Sequence, residues 1–149
     1  MTARALWATV RGLDEDVPIV VGAILVYILA FILCLILQRI TRLILPRVLY
    51  VFVADFFFSL AICAYPYSHG TMRQLFGHAG YFFAAVPLVT LTCLTFEGSP
   101  SPLGVFAKYV KGEESLTRLV VRVVIQTVAA FLSFRLVYLI WSMEVWRHS

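Results

Sequence analysis

The 149-residue chain contains no asparagine, so it offers no acceptor for N-linked glycosylation and no Asn side chain to cap a helix. Charge is scarce as well: Asp, Glu, Lys and Arg make up 13% of residues, against 62% hydrophobic ones. A soluble domain of this length has too little interior to hide so much apolar surface, which points to a membrane protein. The three cysteines, Cys34, Cys63 and Cys93, each lie inside an apolar run with no CxxC or Cys/His spacing. They read as small buried hydrophobes and favour neither a disulfide framework nor a metal site. No Ser/His/Asp spacing, glycine-rich phosphate loop or zinc signature occurs, so neither an enzyme nor a cofactor is expected. The net charge of +4 comes from basic residues at the ends of apolar runs rather than from a patch. Membrane lipid, not nucleic acid, is the partner this implies.

What is present is four apolar segments in one membrane domain spanning residues 1–149. The first, 17–38 (VPIVVGAILVYILAFILCLILQ), is long enough to cross about 30 Å of hydrocarbon. It is too long for a signal-peptide core, and no small-residue cleavage site follows it. The second, 48–65, carries a single acid, Asp55, and the third covers 75–96. The fourth, 115–141, carries Arg122, Gln126 and Arg135. Arg39, Arg42 and Arg47 fill the link between the first two segments; Lys108, Lys111 and Arg118 fill the link between the last two. The opposite side holds Arg4 and Arg11, offset by Asp14, Glu15 and Asp16, then Arg73 and Arg147. The positive-inside rule therefore places both termini outside or in a lumen and both basic links in the cytosol.

Residues 98–105 (GSPSPLGV) interrupt this pattern with helix breakers between two segments fit to span a bilayer. Ser101 suits an N-cap, Pro102 the first helical position, and Gly112 a helix end, so a short helix over 101–111 is predicted. Lys108 and Lys111 sit where the helix dipole favours positive charge. Roughly ten residues is half of what a crossing needs. Two readings stay open: a cytosolic surface helix, or a re-entrant half-helix dipping back into the protein. Irregular backbone at membrane depth is tolerated only where it is buried in protein or lines a water-filled path.

With these elements in order, residues 20–145 resemble the aquaporin (major intrinsic protein) family. Its units have three spans, with a half-helix opened by Asn-Pro-Ala between the second and third. An acid in the first unit span is followed four residues later by Thr, and Asp55 and Ser59 stand at that spacing. Ser101, Pro102 and Leu103 fill the Asn-Pro-Ala slot. The extra segment 17–38, and Arg135 before Trp141, are similar to the superaquaporin branch, the aquaporin-11 and aquaporin-12 type, over its N-terminal half. The resemblance implies an all-α membrane fold of about four transmembrane helices and one re-entrant half-helix. It implies a channel polypeptide for water or small neutral solutes such as glycerol or hydrogen peroxide, in a membrane of the endoplasmic reticulum or, alternatively, the plasma membrane. A non-conducting subunit of a channel assembly is the second function class.

Two departures follow. Ser101 replaces the motif asparagine; its hydroxyl is able to accept from the half-helix N–H groups and still donate one bond. These residues also hold only one unit, whereas the family's pore lies between two inverted ones. A half-channel is therefore expected, with an oligomer or a second aquaporin-like half as partner. Within the resemblance Asp55 and Ser59 brace the half-helix, Asp55 accepting N–H bonds from the loop around Ser99 to Leu103. Pairing of Asp55 with Arg135 is the rival, disfavoured because Arg135 lies near the far end of its segment. His69 and His78 are placed in water on the link between the second and third segments, and Gln126 and Thr127 are expected to bond neighbouring helices.

Overall fold

The computed structural model describes residues 3–147, with side chains for 20–143, so the readings on Arg4, Arg11, Asp14, Glu15, Asp16 and Arg147 lie outside the described side chains. The described chain is all-helical: α1 (Ala3–Ile44), α2 (Arg47–Thr95), α3 (Pro102–Val110) and α4 (Leu116–Arg147). Three of these contain stretches long and apolar enough to cross a membrane, Val20–Ile44 in α1, Arg47–Thr95 in α2 and Leu116–Met143 in α4.

Proline sets the first corner. Pro46 disfavours helical backbone at Leu45, ending α1, and its own extended conformation (φ −64°, ψ 151°) starts α2. The Pro46 carbonyl then accepts from the N–H groups of Leu49 and Tyr50, each at 3.0 Å. The two middle apolar segments lie on two helical arms that meet at Gly77 and are numbered together as α2, 49 residues in all. Straight, it would measure about 73 Å. It is not straight, because Tyr65 Oη and Thr92 Oγ1 are hydrogen bonded at 2.9 Å and the Tyr50 hydroxyl donates to Glu97 Oε2 at 3.0 Å. The reversal occurs at Gly77 (φ 71°, ψ −160°), backbone that is essentially glycine-only.

The link expected between 65 and 75 is therefore helix, and the turn shrinks to one residue. Helix-compatible Met72, Arg73, Gln74 and Leu75 carry the coil through Pro66 and Gly70. At the corner a Cβ on Gly80 would lie 2.3 Å from Phe76 Cβ, whereas one on Gly70 would meet nothing within 4 Å. Gly80→Ala is accordingly expected to cost about 1–3 kcal/mol through a forced backbone shift. Gly70→Ala should be neutral or stabilising, and thermal unfolding of the two variants in detergent separates them.

Packing is inverted relative to a soluble protein. The core between α1 and the two arms of α2 holds Ala23, Tyr27, Cys34, Phe58, Ala61, Tyr65, Met72 and Phe96. Small residues at these contacts let helix backbones approach closely. On α4 the buried positions are Leu119, Arg122, Gln126, Ala129, Ser133 and Val137, one helical face that includes charge and amide. Large apolar side chains such as Leu29, Leu33, Phe83, Val124 and Phe131 point outward. Buried polar groups beside an apolar core, with large apolar side chains outside, are the arrangement a lipid solvent imposes.

Candidate functional site

The segment between α2 and α3, residues 96–101, is held by side chains from three helices. From α1, the fully buried Gln38 donates through Nε2 to Glu97 O (2.8 Å) and Ala54 O (3.2 Å) and accepts the Glu97 N–H at Oε1 (3.2 Å). From α2, Asp55 Oδ1 accepts the Ser99 N–H at 2.7 Å, and the Ser59 hydroxyl donates to Pro100 O at 3.2 Å. From α4, Gln126 Nε2 donates to Ser99 O at 3.0 Å. The loop's backbone groups thus find partners that a membrane interior would not supply.

Asp55 and Arg122 form the centre of this cradle. Arg122 donates through Nε to Oδ2 at 2.5 Å and through Nη2 to Oδ1 at 2.9 Å, with side chains 2% and 0% exposed. This two-point geometry suits a planar guanidinium, and a single point charge would not reproduce it. Nη1 of Arg122 also donates to Glu114 Oε1 at 2.6 Å. Gly98 passes directly over the pair: its φ is +104°, and a Cβ there would lie 2.7 Å from Asp55 Oδ1 and 3.1 Å from Asp55 N. Glycine is required for both reasons.

Depth follows from the helix rise. Ser59 lies twelve residues after Arg47, about 18 Å along α2. Gln126 lies ten residues after Leu116, about 15 Å along α4. The loop tip therefore sits well below the helix ends, whereas Lys108, near the end of α3, lines a cleft together with Arg42 and Arg47 at those ends.

At the start of α3, Ser101 has extended backbone (φ −143°, ψ 153°) and Pro102 follows it at the first helical position, but the Ser101 hydroxyl makes no capping bond. That expectation is corrected: the Gly104 N–H goes to Ser101 O at 3.2 Å, and the Ser99 hydroxyl donates to that same carbonyl at 3.1 Å. A Cβ at Gly104 would lie 2.5 Å from Ser99 Oγ, so the serine covering the turn is Ser99. Leu103, 76% exposed, points away from the protein. At the other end Gly112 (φ +78°) closes the helix, with Gly112 N–H to Tyr109 O (2.9 Å) and Glu113 N–H to Lys108 O (3.0 Å), a Schellman motif.

Other sequence readings divide. Arg135 lies over the Phe131 ring at 5.5 Å, exposed, and takes no part in the cradle. His78 is exposed, but His69 is not in water: it is 5% exposed, with Nδ1 and the Tyr27 hydroxyl 2.5 Å apart. The helical course of 66–76 turns it inward. Gln126 bonds the loop rather than a helix, and Thr127 bonds its own helix at Val123 O (2.8 Å). The residues missed are Gln38, Gly98 and Arg122, whereas the Ser99 N–H donates to Asp55 as the sequence led one to expect. The signal for Arg122 was the series Arg122, Gln126, Ala129 and Ser133, small and polar residues on one face of an apolar helix. Among the described residues no group of His, Cys, Asp or Glu could hold a metal ion. No protein-family model, curated protein or solved structure matches this chain.

Proposed function

We propose that this chain supplies one half of an aquaporin-like channel for water or small neutral solutes such as glycerol or hydrogen peroxide. In this reading it crosses the membrane four times, the two arms of α2 counting separately, and α3 is the re-entrant half-helix. The single observation that carries it is the 96–101 loop, bonded by Ser59 and Gln126 some 15–18 Å below the helix ends. Irregular backbone at that depth is kept where it lines a path or meets a second protein surface. Asp55 and Ser59 brace the loop, Ser101, Pro102 and Leu103 open the half-helix, and the outward Leu103 and Phe106 leave the face toward a second half uncovered. The endoplasmic reticulum membrane is the location the family resemblance favours. A second reading, a non-conducting subunit of a channel assembly, rests on Asp55, whose oxygens are both occupied by Arg122 and Ser99.

Flux separates the readings. Purified protein in liposomes is expected to give no water permeability above the lipid background, because all its basic links favour one orientation and parallel copies leave the opposite half-pore unbuilt. Adding a polypeptide that carries an inverted second unit should raise permeability in stopped-flow shrinkage. Flux from this chain alone that is sensitive to substitution at Ser101 would contradict the half-channel. Complex formation without flux would favour the non-conducting subunit.

A further inference from the structure

A cleft of about 500 Å³ opens where the basic ends of the helices meet, lined by Arg42, Arg47, Tyr50, Lys108, Glu114 and Arg122 among others. A second hollow of about 210 Å³ adjoins it through Arg47, Val51, Glu114 and Arg122, and adds Arg118, Val48 and Phe52. Arg42 is committed to Glu97 and Arg122 to Asp55 and Glu114. Arg47, Lys108 and Arg118 form no ion pair among the described residues and are exposed. Three uncommitted cations around one concavity attract an anion.

Backbone adds to the attraction. α2 begins at this cleft with no side-chain cap and no acidic residue in its first turn, since Pro46 has no side-chain acceptor to offer. The N–H groups of Arg47 and Val48, both lining residues, precede the first bonds to Pro46 O and are left for a ligand. The apolar side of the hollow is formed by Val48, Val51 and Phe52 on the flank of α2, with Val48 60% exposed. A phosphate for the cations and amides and an acyl chain along Val48 and Phe52 describe one ligand.

We propose that this cleft binds an anionic phospholipid through its headgroup phosphate, with Arg47, Lys108 and Arg118 as cationic partners. The site depends on the helix ends alone and holds whether or not the chain conducts.

The test is thermal unfolding of the detergent-solubilised protein titrated with phosphatidylglycerol, phosphatidylcholine, or glycerol phosphate without acyl chains. Phosphatidylglycerol should raise the unfolding midpoint saturably, and the other two should raise it little. Replacing Arg47, Lys108 and Arg118 together with glutamine should weaken the phosphatidylglycerol response by about tenfold or more. The three side chains are exposed, and their replacement should leave the lipid-free midpoint near wild type. A control variant, Arg73→Gln with Arg135→Gln, removes exposed cations elsewhere and should keep the response. Equal responses to phosphatidylcholine, or equal loss in the control variant, would overturn the site. An equal response to glycerol phosphate would overturn the lipid assignment in favour of a soluble phosphate ligand.

Discussion

Arg122→Ala is expected to lower the stability of the folded chain by about 3–5 kcal/mol, because it strands a buried carboxylate. Asp55 is 0% exposed, and without the guanidinium its only partner in the cradle is the Ser99 N–H. Glu114 loses its hydrogen bond in the same step. A buried pair contributes little net stability over an apolar substitute, yet removing one member leaves the desolvation cost of the other unopposed. The double variant Asp55→Asn with Arg122→Gln should therefore be more stable than Arg122→Ala alone, although it removes both charges. Unfolding measured in mixed micelles checks this. A double variant that loses the sum of the two single losses would mean the charges act independently and do not form one unit.

Gly98→Ala should have the next largest effect, at least about 2 kcal/mol from backbone strain and the lost Asp55–Ser99 bond together. At φ +104° an L side chain is strained, and its Cβ would stand 2.7 Å from the carboxylate oxygen that receives the Ser99 N–H. Asp55 is not free to swing aside, since Arg122 donates to both of its carboxylate oxygens. The substitution should also expose the loop, seen as faster amide exchange at Ser99 with the helices otherwise unchanged. Wild-type exchange at Ser99 in Gly98→Ala would remove the glycine from its proposed role.

Sequence carried part of this structure plainly. Long apolar runs gave the membrane-spanning character of α1, α2 and α4, and Ser101, Pro102 and Gly112 bounded α3 to within two residues at either end. Asp55 and Ser59 stood out because four-residue spacing puts both on one face of a helix. The partners were hidden by distance along the chain. Arg122 lies 67 residues from Asp55, and Gln38 lies 59 from Glu97. Nothing local distinguishes Gln38 at the end of a leucine-rich run from a side chain reaching for the interface. Gly77 was equally silent: φ +71° is a property of the corner, and Gly70 and Gly80 nearby offered the same letter. The Ser101 hydroxyl was expected to cap α3, but sequence does not reveal that Ser99 occupies the space over Gly104.

The central claim is that the loop and the start of α3 lie at membrane depth while the end of α3 lies at the surface, and nitroxide labelling measures this directly. Single cysteines at Leu103 and Lys111, in a chain with Cys34, Cys63 and Cys93 replaced by alanine, carry the label in lipid bilayers. Power saturation then compares collisions with oxygen, which partitions into hydrocarbon, and with a water-soluble nickel chelate. The half-helix geometry predicts high oxygen and low nickel accessibility at Leu103, with the reverse at Lys111. High nickel accessibility at both positions would make α3 a surface helix and contradict the half-channel.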